Sequence, residues 1–341
     1  MRVLVTGAGG FVGGHLCSAL VQRGHEVVPV VSPRGAAAGG FAIDLTDAEA
    51  TARVVGQTRP DAVIHLAARA RPGGLESAPM LLDNNVRAAR SVLESLRCVA
   101  PEAKAIVVSS SAVYGPVPAE RNPVDESEPL HPSLPYGASK VAVEALTSVY
   151  QAQGLDIVIV RPFNLLGPGL GPEFVGSRFA QQIARIAAGL TDPVIETGPM
   201  ETVRDFTDVR DAVRAYVAVL ERRTGPGPYN LCSGIPRAIG EVLREMLAVA
   251  GVTATIRQHP RAGTPPGSGS CSTSPTPSST GRTRPSKARS ISSICWALSR
   301  SRASWPSSAS RTSASTSAAA TSGCRRRSPS TSASARPSGW G

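Results

Sequence analysis

The chain has 341 residues, with 36 Lys and Arg against 25 Asp and Glu and a formal net charge of +11. That length allows two domains and a large core. The positive charge is confined to the end of the chain: from Gly263 onward there are 11 Lys or Arg and no carboxylate, which leaves 25 residues of each sign before it. A neutral body of 262 residues argues against a nucleic-acid partner. The cysteines before that point, Cys17, Cys98 and Cys232, are isolated, and no pair has metal-ligand or redox spacing, so no metal is expected. The N-terminus enters a short apolar run without a signal-peptide core. No apolar segment approaches membrane-spanning length, so a cytoplasmic protein with no membrane partner is expected.

Arg2 to Thr6 is a β-branched run, followed by Gly7-Ala-Gly-Gly10-Phe11-Val12-Gly13 and a helical pattern through Leu16 and Leu20. This reads as strand, glycine turn and helix, a place where backbone N–H groups can approach a diphosphate. An ordinary βα loop is the alternative, and the position straight after the first strand disfavours it. Val27 to Val31 is the second strand. At its end an NAD protein places a carboxylate for the adenine ribose, but this chain has Ser32-Pro33-Arg34, a hydroxyl and a guanidinium that suit a 2′-phosphate. NADP(H) is therefore favoured and NAD(H) kept open, with a solvent-facing Arg34 as the plainer reading.

Asp44-Leu45 ends the next short apolar segment, and Asp44 can accept from an adenine amino group, whereas Asp47 reads as a helix cap. Ala62 to Ala68 is an apolar strand interrupted by His65, which we read as a buried structural histidine. The small residues at its end would let a cofactor lie against the backbone. Asn84-Asn85 opens an amphipathic helix, where capping competes with a role in ordering water or backbone near the site. Ala105 to Val108 ends in Ser109-Ser110-Ser111-Ala112-Val113-Tyr114-Gly115, at the sheet edge where ligands sit in doubly wound folds.

Pro135-Tyr136-Gly-Ala-Ser-Lys140 then opens a helix whose apolar positions are Val141, Val143, Leu146 and Val149. Tyr136 and Lys140, four apart, share one face. A phenol beside an ammonium is drawn toward the phenolate, so Tyr136 reads as an acid/base and Lys140 as the group that lowers its pKa. A strand from Ile157 to Val160 and the loop Arg161-Pro162-Phe163-Asn164-Leu-Leu-Gly167-Pro168-Gly169 follow. Strands and helices in alternation predict an α/β fold with a doubly wound parallel sheet of Rossmann type.

These motifs in order, TGxxGxxG, DL at Asp44, HLAA at 65 to 68, SSSxVYG, PYxxSK and RPxNxxGPG, resemble the extended short-chain dehydrogenase/reductase family of nucleotide-sugar epimerases, dehydratases and reductases. Further segments, among them Val203-Arg204-Asp-Phe-Thr-Asp-Val-Arg-Asp211 and Tyr229-Asn-Leu-Cys-Ser-Gly234, are most similar to its GDP-4-keto-6-deoxy-D-mannose reductases. The resemblance covers roughly residues 1 to 260. It implies that Tyr136 is the acid/base, that Lys140 lowers its pKa and holds the nicotinamide ribose, and that Ser110 hydrogen-bonds the reacting oxygen. It implies further that Gly7, Gly10, Phe11, Val12 and Gly13 form the phosphate turn, with Ser32, Arg34, Asp44, Leu45, Leu66, Ala67 and Ala68 around the rest of the cofactor. Ser111, Asn164 and Arg204 would meet a nucleotide-diphosphate sugar, Arg204 being also able to pair with Asp205 or Asp208. A homodimer is left open.

A dehydratase of this kind carries adjacent carboxylates just after the serine, where this chain has Ser111 and Ala112, so dehydration is rejected. An epimerase would retain NAD, which the end of the second strand disfavours, and net reduction of a 4-keto-6-deoxyhexose is the expected chemistry. A 4-epimerase, or an inactive cofactor-binding relative, is the alternative. The domains expected are residues 1–162 plus 202–222 for the cofactor and 163–201 plus 223–262 for a small, incomplete substrate lobe, with a helix over 205–222 packing back on the sheet. Residues 263–341 contain no Asp, Glu, Asn, Gln, Val, Phe, Tyr, His or Met, and read as a disordered basic tail or an out-of-frame translation.

Overall fold

The computed structural model describes residues 1–35, 39–70, 75–222 and 224–259, so the tail from Gly263 lies outside the described residues. The chain runs β1 (Arg2–Thr6), α1 (Phe11–Gln22), β2 (Glu26–Val31), β3 (Phe41–Ala42), α2 (Ala48–Thr58), β4 (Ala62–His65), α3 (Ala78–Val99), β5 (Lys104–Val108), α4 (Pro135–Ala152) and β6 (Ile157–Pro162). It continues through β7 (Asn164–Leu166), α5 (Val175–Ala187), β8 (Val194–Thr197), β9 (Val203–Asp208), α6 (Val209–Glu221), β10 (Tyr229–Leu231), β11 (Pro236–Ala238), α7 (Ile239–Ala250) and β12 (Thr255–Gln258).

Seven strands form one parallel sheet in the order β10-β6-β5-β4-β1-β2-β3. The strand order reverses direction between β1 and β4, as a doubly wound sheet requires. Strands buried on both faces read as continuous apolar runs, and alternate residues serve opposite faces. Val3 and Val5 of β1 pack with Leu16 and Leu20 of α1 and with Val213 and Tyr216 of α6. Leu4, between them, packs on the other side with Val54 of α2, Leu93 of α3 and Val143 of α4. Each of these fully buried aliphatic side chains contributes about 1.5 to 3 kcal/mol. The two layers hold the carboxyl ends of β1, β4 and β5 in one row, which is where the site lies.

Two smaller sheets complete the described residues. β9 lies between β7, its parallel partner, and β11, its antiparallel partner, and β12 pairs with β8. Phe179 and Ile183 of α5, Ile195 of β8, and Leu243 and Leu247 of α7 form a separate apolar cluster.

The helix expected over 205–222 begins later. Residues Val203–Asp208 alternate in burial, with Asp205 and Thr207 inside, and pair as β9. The helix starts at Val209 because the Asp208 carboxylate caps it, accepting from the Arg210 N–H at 2.8 Å. Tyr229–Leu231, read from sequence as part of the substrate lobe, is the edge strand of the large sheet beside β6.

Candidate active site

The first βα turn is built by close packing. A Cβ on Gly13 would meet the Gly7 carbonyl oxygen at 2.2 Å and the Ala8 Cα at 2.7 Å, so only glycine lets α1 start so near the strand. Among the described residues no side chain caps the N-terminus of α1, whose N-cap is Gly10. Its first-turn N–H groups are therefore available to an anion.

Beside this turn lies a cavity of about 430 Å³. Gly7, Gly10, Ser32, Asp44, Leu45, Leu66, Ala67 and Ala68 all line it. Asp44 is fixed as a carboxylate: its Oδ1 accepts from the Thr46 N–H and hydroxyl, both at 2.9 Å, and these bonds lower its pKa. A cavity lined by an uncapped helix N-terminus and by a carboxylate suits a dinucleotide. Arg34 is different from the expectation. It is exposed and lies off the cavity lining, although its neighbours Pro33 and Gly35 are part of it. The side chains of Phe11 and Val12 pack against the core, Phe11 standing edge-on to His15 with ring centres 5.8 Å apart, while their N–H groups belong to the open first turn of α1. Thr46 and Arg69, not singled out from sequence, do line the cavity, and so does Asn84, one of the two asparagines for which a role near the site competes with capping.

The catalytic candidates meet at the head of α4. A Cβ on Gly137 would meet the Ala112 carbonyl oxygen at 2.4 Å, so α4 packs hard against the turn that carries Ser110. The Tyr136 hydroxyl lies near enough to the Ser110 side chain for Ser110 to lower its pKa. Lys140 is buried one turn on, and its ammonium donates to the Val108 carbonyl at 2.7 Å, with Nζ 5.9 Å from the centre of the Tyr136 ring.

The electrostatics correct the sequence expectation. Burial pushes the Tyr136 phenol up to about 12, against the lowering influence of the Ser110 side chain, rather than an ammonium drawing it down. Lys140 yields instead, lowered by its own burial to about 8. His65 is buried as expected: it pairs in register with Thr6, its Nδ1 lies 2.8 Å from the Thr6 hydroxyl, and burial holds it neutral with a pKa of about 3.

Asn85 joins the cavity to α4. Its amide accepts from the Arg69 N–H at 2.8 Å and donates to the Arg69 carbonyl at 3.1 Å and to Ser139 at 2.9 Å; Ser139 in turn donates to the Tyr136 carbonyl at 2.7 Å. Ser111 is buried in the turn after Ser110. Asn164 donates to the Asp205 carbonyl at 3.0 Å, and Arg204 to the carbonyl of Val203 at 2.7 Å. Asp205 accepts from Ser233 and Gly234, and Asp208 from Arg210.

Sequence reasoning also passed over Glu144 and Arg161, which form a buried ion pair below this cluster. The signals were there: Glu144 stands four residues after Lys140 on the same helix face, and Arg161 closes an otherwise apolar strand.

Comparison with known proteins follows this geometry. Residues 3–232 match the model of the NAD dependent epimerase/dehydratase family. The chain is 33% identical over 264 residues to GDP-6-deoxy-D-mannose reductase of Pseudomonas aeruginosa, covering 76% of this chain and 83% of the relative. Among solved structures it is similar to RMD from Pseudomonas aeruginosa complexed with NADPH, with a TM-score of 0.68 at 32% identity, covering 77% of this chain and 85% of that one. It is comparably similar to the Thermus thermophilus UDP-glucose 4-epimerase complex with NAD, with a TM-score of 0.66 at 31% identity over 77% of this chain and 88% of that one. The chain belongs to the NAD dependent epimerase/dehydratase family, within the extended short-chain dehydrogenases/reductases.

Proposed function

We propose that this protein reduces the 4-keto group of a nucleotide-linked 4-keto-6-deoxyhexose, with NADPH preferred to NADH. The observation that carries the reading is the meeting of Tyr136, Ser110 and Lys140 at the head of α4, with the Lys140 Nζ 5.9 Å from the centre of the Tyr136 ring. A reduced nicotinamide, when bound, supplies the hydride. Tyr136, held protonated by its surroundings, donates its proton to the carbonyl oxygen as negative charge develops there, and the Ser110 hydroxyl donates a second hydrogen bond to the same atom. Lys140 stabilises the tyrosinate left behind. Gly7, Gly10 and the N-terminus of α1 would hold the cofactor's diphosphate, Asp44 its adenine end, and Ser32 the ribose side.

The turn after Ser110 contains Ser111 and Ala112 and no carboxylate, which supports reduction over dehydration. The similarity to a GDP-6-deoxy-D-mannose reductase, and to a structure complexed with NADPH, supports the same reading. In it, residues 163–201 and 223–262 cover the sugar nucleotide, with Asn164 and Arg204 toward its diphosphate.

A second reading, a 4-epimerase with retained NAD, is favoured by the comparable similarity to UDP-glucose 4-epimerases. Two measurements separate them. A reductase purifies largely free of cofactor and oxidises NADPH when offered a panel of GDP-, dTDP- and UDP-4-keto-6-deoxy sugars. An epimerase releases stoichiometric NAD on denaturation and consumes none of the added NADPH.

A further inference from the structure

Below the head of α4 lies a charged pair that the reaction just described does not use. Glu144 and Arg161 are 7% and 5% exposed at their side chains, and they meet through two parallel bonds, Nε to Oε1 at 3.0 Å and Nη2 to Oε2 at 2.7 Å. Both side chains make further bonds. Oε1 accepts from the Ser109 hydroxyl at 2.5 Å, and Nη1 donates to the Tyr114 hydroxyl at 2.8 Å and the Glu126 carbonyl at 3.3 Å. Tyr114 passes the chain on to Asn230 of β10 at 2.6 Å. A pair so buried is dear in desolvation, and apolar side chains of the same shape would often hold the fold as well. Its placement suggests another use. Ser109 is the residue before Ser110, and Glu144 is the carboxylate that acts on Lys140, one helical turn away.

We propose that Glu144, backed by Arg161, is a positioning residue for catalysis: it fixes Ser109, and through it the direction of Ser110, and it sets the negative charge against which Lys140 is held as an ammonium. The groups that face Lys140 are few. β4 brings His65, which stays neutral; α4 brings Tyr136 and Glu144; β5 brings the Val108 carbonyl; β6 brings the Arg161 cation behind Glu144, and α6 brings Tyr216 next to Tyr136. Burial opposes the charge on Lys140, and Glu144 offsets it. The activity arm of this inference rests on the proposed reductase reading; the binding arm does not.

The test is Glu144→Gln, which keeps the shape and removes the charge, read as two pH profiles: kcat for keto-sugar reduction and Kd for NADPH. The basic limb should move down by about one pH unit in both profiles, the size of shift a single nearby charge produces, with the acid limb unmoved. Glu144→Asp, which keeps the charge on a shorter arm, should restore the limb while kcat stays below the parent value. Limbs of Glu144→Gln that coincide with the parent, or equal shifts in Gln and Asp, overturn the inference. Should Glu144→Gln fail to fold, Glu144→Gln with Arg161→Met leaves no orphaned cation and carries the same test, a downward limb supporting and an unmoved limb overturning. If the parent turns over none of the keto sugars, the reductase reading fails on its own. The NADPH-binding limb then decides the role of Glu144 by the same criterion.

Discussion

The Lys140 ammonium lies 5.9 Å from the centre of the Tyr136 ring and is tied to the Val108 carbonyl, not to the phenol oxygen. Lys140, at about 8, therefore titrates before Tyr136, at about 12. On the proposed reading Tyr136 stays protonated through the neutral range, and activity should be lost at high pH with the titration of Lys140. We expect kcat/KM to fall above about pH 8 with a slope of one proton. Lys140→Met should abolish that limb and weaken NADPH binding at neutral pH, as isothermal titration across the range would measure.

His65 makes the fold acid-sensitive. The native imidazole, with a pKa of about 3 against 6.5 for the free side chain, stays neutral while the unfolded chain takes up a proton. Stability is complete above pH 6.5 and is lost as pH falls from there toward 3. Between pH 7 and pH 5 the loss is about 2 kcal/mol from this group by proton linkage. His65→Asn keeps a partner for Thr6 and cannot titrate there, so urea unfolding at the two pH values should show a correspondingly smaller difference for the variant.

Gly13→Ala tests the first turn. Its new Cβ would strike backbone atoms of Gly7 and Ala8, which cannot move aside as a flexible side chain could. Overpacking of this kind typically costs about 1 to 3 kcal/mol. The variant should show a lowered thermal midpoint and a larger proportional loss of NADPH affinity than of stability, since the displaced turn presents the N–H groups at α1.

Cofactor choice should turn on Ser32 more than on Arg34, because Ser32 lines the cavity and Arg34 does not. Ser32→Asp would accept from a ribose 2′-hydroxyl and repel a 2′-phosphate. The ratio of NADPH to NADH affinity should fall at least about tenfold, the size of one charged contact. Arg34→Ala should move it less. Parallel titrations with the two cofactors give the ratio directly.

What could be read from the sequence was whatever is local or periodic. The four-residue spacing of Tyr136 and Lys140 is a helix face, and the polar interruptions at Thr6 and His65 in two apolar runs are a buried pair across adjacent strands. The pairing of Glu144 with Arg161 depends on how α4 lies over β6, which no repeat in the sequence encodes. The helix expected over 205–222 takes in residues that belong to β9. The capping residue is Asp208, and Asp205 serves Ser233 and Gly234 instead. The direction of the Tyr136 shift differs from the expectation for a related reason: spacing shows that an ammonium is near, but the burial that raises the phenol is set by the packed fold.

The central claim is that Tyr136 gives its proton to the keto oxygen, and Tyr136→Phe tests it most directly. The variant, shown by circular dichroism to be folded and by titration to bind NADPH as the parent does, should oxidise NADPH with a 4-keto-6-deoxy sugar about 10² to 10⁴ times more slowly, the usual scale for a lost general acid. A rate within a few-fold of the parent would contradict the account.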